Sequence, residues 1–267
     1  MRGFAAKAGF AIIAALIIVA LLAPFIAPHD PSAYHIDRSF AGPSMAYLFG
    51  NDADGRDILS RMIYGTRVAL VIGCAVVGIS LVIGCAVGMV AGFVGGIADR
   101  IFSFVSDVFL AFPGFLLAIA VAAFLEPSIK NVIIILCLKG WVTYARLVRG
   151  QALALKGREF VVAGRAIGVR TPRLLVRYLF PNMIGPVAVN ASFGMAGVIM
   201  IESALSFLGL GVPVDVPSWG AMIDQGTQYL LVAPHLSIFP GLAIMLVVLG
   251  FNFLGEGLRD SFAPRGR

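Results

Sequence analysis

Charge is what this chain has least of: only 13% of its 267 residues are Asp, Glu, Lys or Arg. Soluble domains carry roughly one quarter, so a water-covered globular domain is excluded. Lysine is scarcer still, and each of Lys7, Lys130, Lys139 and Lys156 follows a residue other than glycine. A phosphate-cradling G-x-x-x-x-G-K loop is therefore absent, and with it a P-loop ATPase. Cys74, Cys85 and Cys137 lie in apolar stretches without metal-ligand spacing and read as small buried hydrophobes. His29, His35 and His235 have no companion at ligand spacing, so no metal site is expected.

Hydrophobic side chains are abundant, at 60% of the chain with a mean hydropathy of +0.96, which marks a polytopic membrane protein. A crossing helix needs about 20 apolar residues for a core about 30 Å thick. Six stretches qualify: Ala8–Pro28, Val68–Gly92, Ile101–Leu125 (interrupted by Asp107 and Pro113), Asn131–Leu147 (carrying Lys139), Met183–Phe207 (containing Glu202) and His235–Leu254. The expected fold is all-α, with six transmembrane helices and both termini on one side. The first stretch exceeds the apolar run of a cleaved signal peptide, and Pro24 and Pro28 crowd its only small-residue exit, so an uncleaved anchor is expected.

Basic residues near span ends stay in the cytosol. They concentrate at Arg2 and Lys7, at Arg100, from Arg146 through Arg177, and at Arg259, Arg265 and Arg267. Both termini are therefore expected to be cytosolic, and the net charge of +6 needs no nucleic acid to explain it. Gly84, Gly88, Gly92 and Gly96 recur every fourth residue, a stripe that permits close helix approach, either within one subunit or at a dimer interface. Pro113-Gly114 and Pro240-Gly241 are places where a span can bend.

Between the fourth and fifth spans lies a basic interruption, Arg158-Glu-Phe-Val-Val-Ala-Gly-Arg-Ala-Ile-Gly168, closed by Phe180-Pro-Asn182. Glu159 suits a helix N-terminus and Gly168 a left-handed C-terminus, predicting a helix from about Gly157 to Ile167. Thr171-Pro172 then reads as an N-cap followed by proline, starting a second helix that stops near Pro181. Ala163, Gly164, Ala166 and Gly168 are small enough to admit a partner, while Arg158, Glu159 and Arg165 supply orienting charge. The pattern is a plug for a socket on another polypeptide.

This loop resembles the "EAA" coupling loop of ABC importer permeases. Further motifs resemble the dipeptide/oligopeptide/nickel branch, as its second, C-type subunit. They are Phe49-Gly-Asn-Asp-Ala-Asp-Gly-Arg-Asp-Ile-Leu-Ser-Arg61, Ala111-Phe-Pro-Gly114, Ala145-Arg-Leu-Val-Arg149, Leu205-Ser-Phe-Leu-Gly-Leu-Gly211, Pro217-Ser-Trp-Gly-Ala-Met222 and Phe251 to Asp260 within Ala243 to Arg265. Val162 stands where that pattern has its acid and Gly164 where it has the second alanine, with Glu159 one turn earlier. The resemblance implies the type I importer permease fold. It also implies ATPase coupling through Glu159, Ala163, Gly164, Arg165, Gly168 and Pro181, and a chain that is itself no enzyme and binds no cofactor. ATP and Mg would sit on two partner ATPase subunits, and a homologous permease would complete a heterodimer. An extracytoplasmic binding protein would dock near Ala33 to Arg61 and Val212 to Ala233 in a bacterial or archaeal cytoplasmic membrane. The cargo implied first is a di- or oligopeptide, with nickel chelates, glutathione or another small solute as alternatives.

Charges inside spans cost on the order of 3 kcal/mol each, which singles out Glu202, Asp107 and Lys139. Glu202 or Asp107 either lines the translocation path or sits in an interhelix pair or at a span end. Asn190, Asn252 and Gln225 fit helix contacts better than ligands. Asp52, Asp54, Arg56, Asp57 and Arg61 read either as a solvated amphipathic lead-in helix or as the docking surface for a binding protein. The resulting organisation is an anchor helix over residues 1–30, an extracytoplasmic segment over 31–64, and a core of five spans over 65–262 with the coupling loop at about 150–182. An ion-driven transporter is disfavoured by the absence of visible inverted repeats, and a scaffold would leave the loop unexplained.

Overall fold

A computed structural model describes residues 2–262; Arg265 and Arg267 of the expected cytosolic tail lie outside the described residues. Among those described the chain is helical, with a single isolated bridge pairing Asn51 and Asp57. The helices are α1 (Arg2–Ile26), α2 (Ile58–Val94), α3 (Gly96–Ala111), α4 (Gly114–Ala122), α5 (Ile129–Leu155), α6 (Glu159–Ala166), α7 (Thr171–Arg173), α8 (Phe180–Phe207), α9 (Trp219–Thr227) and α10 (His235–Phe262). A π-helical segment, Leu174–Leu179, joins α7 to α8.

Five stretches are long and apolar enough to cross a membrane, and a sixth crossing results if the bent pair α3 and α4 counts as one. That pair meets at 78°. The cause is Pro113: a residue before proline is pushed out of the α region, and Phe112 indeed has φ −98° and ψ 132°. α10, by contrast, runs on through Pro240, close enough to its start that only the Leu236 carbonyl loses its donor. The expected second span is much extended: α2 has 37 residues, or about 55 Å at 1.5 Å per residue, so it projects beyond the bilayer. α5 likewise continues past Leu147 to Leu155, where Arg146 and Arg149 had lowered the apolar signal.

The most extensive helix pairing is that of α2 with α5, and the glycine stripe makes it. A Cβ on Gly84 would stand 2.6 Å from the Trp141 carbonyl oxygen, one on Gly88 2.3 Å from that of Ala145, and one on Gly92 2.6 Å from that of Arg149. Packing within one subunit is therefore the stripe's role. Gly96 does not belong to it: Gly95 and Gly96 have φ +73° and +62° and turn the chain from α2 into α3, a conformation L side chains rarely adopt. α1 packs on α10, with Gly9 against the Leu254 backbone. The largest cluster of buried apolar side chains brings together α1, α2, α8, α9 and α10.

Candidate functional site

The basic loop folds as two short helical pieces clamped onto the ends of α2 and α5. α6 is terminated by Gly168 at φ +78°. Val169 N donates to the Gly164 carbonyl and Gly168 N to that of Arg165, the paired bonds of a Schellman ending. Val161, Leu174 and Leu179 are buried with Phe93, Val148 and Ala152. The α6 surface left exposed carries Glu159, Phe160, Val162, Ala163, Arg165 and Ala166, followed by Ile167 and Gly168.

Several expectations about this loop change. Gly164 faces inward rather than toward a partner, since a Cβ there would lie 2.9 Å from Leu174 Cδ2. The Arg165 guanidinium lies 4.4 Å over the Phe93 ring, tying α6 to the end of α2 by a cation–π contact. The second helix does not stop at Pro181 but passes through the π-helical segment into α8 as one continuous helix. A π turn relaxes the backbone where proline removes an N–H, and Asn182 Nδ2 donates to the Tyr178 carbonyl at 2.6 Å. Thr171 is the first helical residue, with Arg170 at the cap.

The outer charged cluster is neither a solvated helix nor an exposed surface. Asp52, Arg56, Asp57 and Arg61 are all buried, and only Asp54, at 49% side-chain exposure, reaches solvent. Asp52 accepts from Arg56 Nε at 2.8 Å and lies 3.6 Å from Arg61 Nε. Arg56 Nη2 reaches Asp54 at 2.7 Å and Gln225 of α9 at 3.4 Å. Asp57 caps α2 by accepting from Ser60 N at 3.0 Å, and His29 Nδ1 stands 3.4 Å from the same carboxylate. Burying such charges is tolerable only when they are paired and hydrogen-bonded. The cluster is thus the framework that joins the loop after α1 to α2 and α9.

Glu202 and Asp107 are not brought together. Glu202 is buried and accepts from Ser206 Oγ at 2.8 Å, Ser218 Oγ at 3.0 Å and Ser203 Oγ at 3.4 Å. It has no cationic partner among the described ion pairs and closes α8 onto the turn before α9. Asp107 is exposed on α3.

Neither residue lines the cavity beside Lys139. This space, about 280 Å³, lies between α2, α4, α5 and α8, with Ser80, Lys139, Thr143, Tyr144 and Asn190 among its polar lining. Lys139 Nζ donates to the Phe112 carbonyl at 2.6 Å, directly at the α3–α4 break. A second cavity, about 490 Å³, shares Asn190 and continues toward Arg259 and Phe262. A lone cation within an apolar span was a legible sign of Lys139; Ser80, Thr143 and Tyr144 carried no such sign. No group of His, Cys, Asp and Glu among the described residues is arranged to hold a metal ion.

Residues 84–267 match the family described as binding-protein-dependent transport system inner membrane component, and residues 5–43 match the N-terminal transmembrane domain of oligopeptide transport permease C. A dipeptide transport system permease protein of Alkalihalophilus pseudofirmus is 38% identical over 96% of this chain and 84% of its own length. The glutathione transport system permease proteins of Shigella dysenteriae and Shigella flexneri are 43% and 45% identical, each over 94% of this chain and 83% of their own. Among solved structures, a methionine ABC transporter in inward-facing conformations aligns at a TM-score of 0.60 and 17% identity. It covers 75% of this chain and 95% of that one, a likeness of fold.

Proposed function

Since the chain belongs to the family of inner membrane components of binding-protein-dependent transport systems, we propose that it is one permease of an ATP-driven importer of short peptides. A homologous permease completes the pathway, two ATPase subunits dock at the cytosolic loop, and a binding protein delivers cargo at the outer face of a cytoplasmic membrane. The observation that supports this best is the loop itself. Its exposed Phe160, Val162, Ala163 and Ile167 present an apolar ridge beside Glu159, and its second half is continuous with α8. A push on α6 therefore reaches a crossing helix through the packing of Val161 and Gly164 on Leu174, across the short turn at Gly168. On the segments expected at the outer face, the side chains of Tyr34, Ile36, Met45 and Leu231 are exposed, and we assign docking to them rather than to the buried charges.

Short peptides are favoured over nickel chelates because the similar permeases named above are those of dipeptide and glutathione systems. Glutathione, itself a tripeptide, is the second cargo. The test is ATP hydrolysis by the reconstituted complex while a binding protein loaded with dipeptide or glutathione is titrated. Hydrolysis should rise with loaded protein, and Gly168→Glu should abolish the rise. No stimulation by either cargo and no copurifying ATPase would overturn the assignment.

A further inference from the structure

Lys139 stands well inside α5, yet no ion pair among the described residues includes it. Its one hydrogen bond is to a neutral acceptor, the Phe112 carbonyl. No carboxylate lines the cavity it borders, so the cavity carries an unneutralised positive charge. A charge held at membrane depth is costly and generally serves a pathway. A second group in the same cavity lacks an oxygen or nitrogen partner: Ser80 is 1% exposed, and its hydroxyl has only the Cys137 thiol beside it. That hydroxyl packs against Gly140, where a Cβ would approach Ser80 Oγ to 2.6 Å. An ammonium and a hydroxyl without an oxygen or nitrogen partner, both on residues that line one small space, match an anionic oxygen pair in charge and hydrogen-bonding capacity.

We propose that this cavity is a carboxylate-selecting station on the cargo's route, with Lys139 Nζ taking the carboxylate and Ser80 Oγ donating beside it. The proposal rests on the peptide-importer reading and adds a selectivity that belongs to the permease rather than to the binding protein. At about 280 Å³ the space is near the lower limit of small-ligand pockets and suits the terminal residue of a peptide. One of the three ammonium donors already holds the Phe112 carbonyl at the α3–α4 break, which leaves two for the carboxylate.

The test uses the complete complex in proteoliposomes, with uptake of dialanine and of glutathione each compared with its amide-ended form. The quantity read is the acid-to-amide uptake ratio for each variant divided by that of the wild type, which cancels the binding protein's own preference. Lys139→Met should lower this ratio about tenfold, the lower end for losing a hydrogen bond to a charged group. Lys139→Arg should keep the ratio, and Ser80→Ala should lower it by a smaller factor. A purely structural Lys139, one that serves only the Phe112 carbonyl, would depress both forms equally, and an unchanged ratio in Lys139→Met would overturn the subsite while leaving the importer intact. Wild-type uptake of neither dialanine nor glutathione would overturn the cargo reading and the subsite together.

Discussion

At the scale of single residues, the two intramembrane acids differ in what surrounds them. Glu202 gathers Ser203, Ser206 and Ser218 around its carboxyl group in a buried site, so its removal leaves three hydroxyls without an acceptor. Glu202→Leu is expected to destabilise the subunit by about 2–4 kcal/mol, read as a lower Tm and a shorter half-life in detergent. Glu202→Gln keeps an acceptor oxygen and should lose less. Lost uptake at an unchanged Tm would instead place Glu202 against cargo. The sequence marked this residue by its charge alone. Its serine partners, including Ser218 sixteen positions away, are ordinary small polar residues in a membrane chain, and only folding brings them to it. The same limitation hid Ser80, whereas Lys139 was visible as a cation among apolar neighbours.

Helices and their contacts were more legible than the environments of side chains. Apolar length placed the five long crossing helices, and the spacing of Gly84, Gly88 and Gly92 announced a close helix contact, though not that the partner would be α5. Gly88→Val should prevent that contact, since its Cβ would meet the Ala145 carbonyl oxygen at 2.3 Å with backbone that cannot yield. Gly78→Ala, on the same helix with nothing within 4 Å, should be neutral or slightly stabilising, because alanine is the better helix former. Thermal aggregation of the two purified variants checks the pair; similar midpoints would remove the stripe's assigned role. Local signals misled where continuity decided the outcome. Pro181 reads as a stop, yet the π-helical segment carries the helix past it, and the dense charges before α2 read as a solvated helix or a docking surface although the surrounding fold buries all but Asp54.

Across the whole molecule, one helix spans the distance between the basic loop and the cap formed by the buried charges and α9. Residues Thr171–Phe207 form a single stretch, with α6 packed at one end and Glu202 bound to the turn before α9 at the other. Inserting two glycines between Leu179 and Phe180 should leave ATP hydrolysis by the complex measurable while abolishing uptake, since Gly-rich backbone transmits no torque. Retained uptake would mean that force reaches the bilayer by another route, with the Arg165–Phe93 contact the next to test. That cap has a further consequence, one for biogenesis. Arg56 finds Gln225 across 169 positions of chain, and Trp219 Nε1 donates to the Met62 carbonyl across 157. Buried Arg56 therefore waits for the ribosome to deliver α9 before its partners are complete. This end of the subunit becomes native only when the chain is nearly finished.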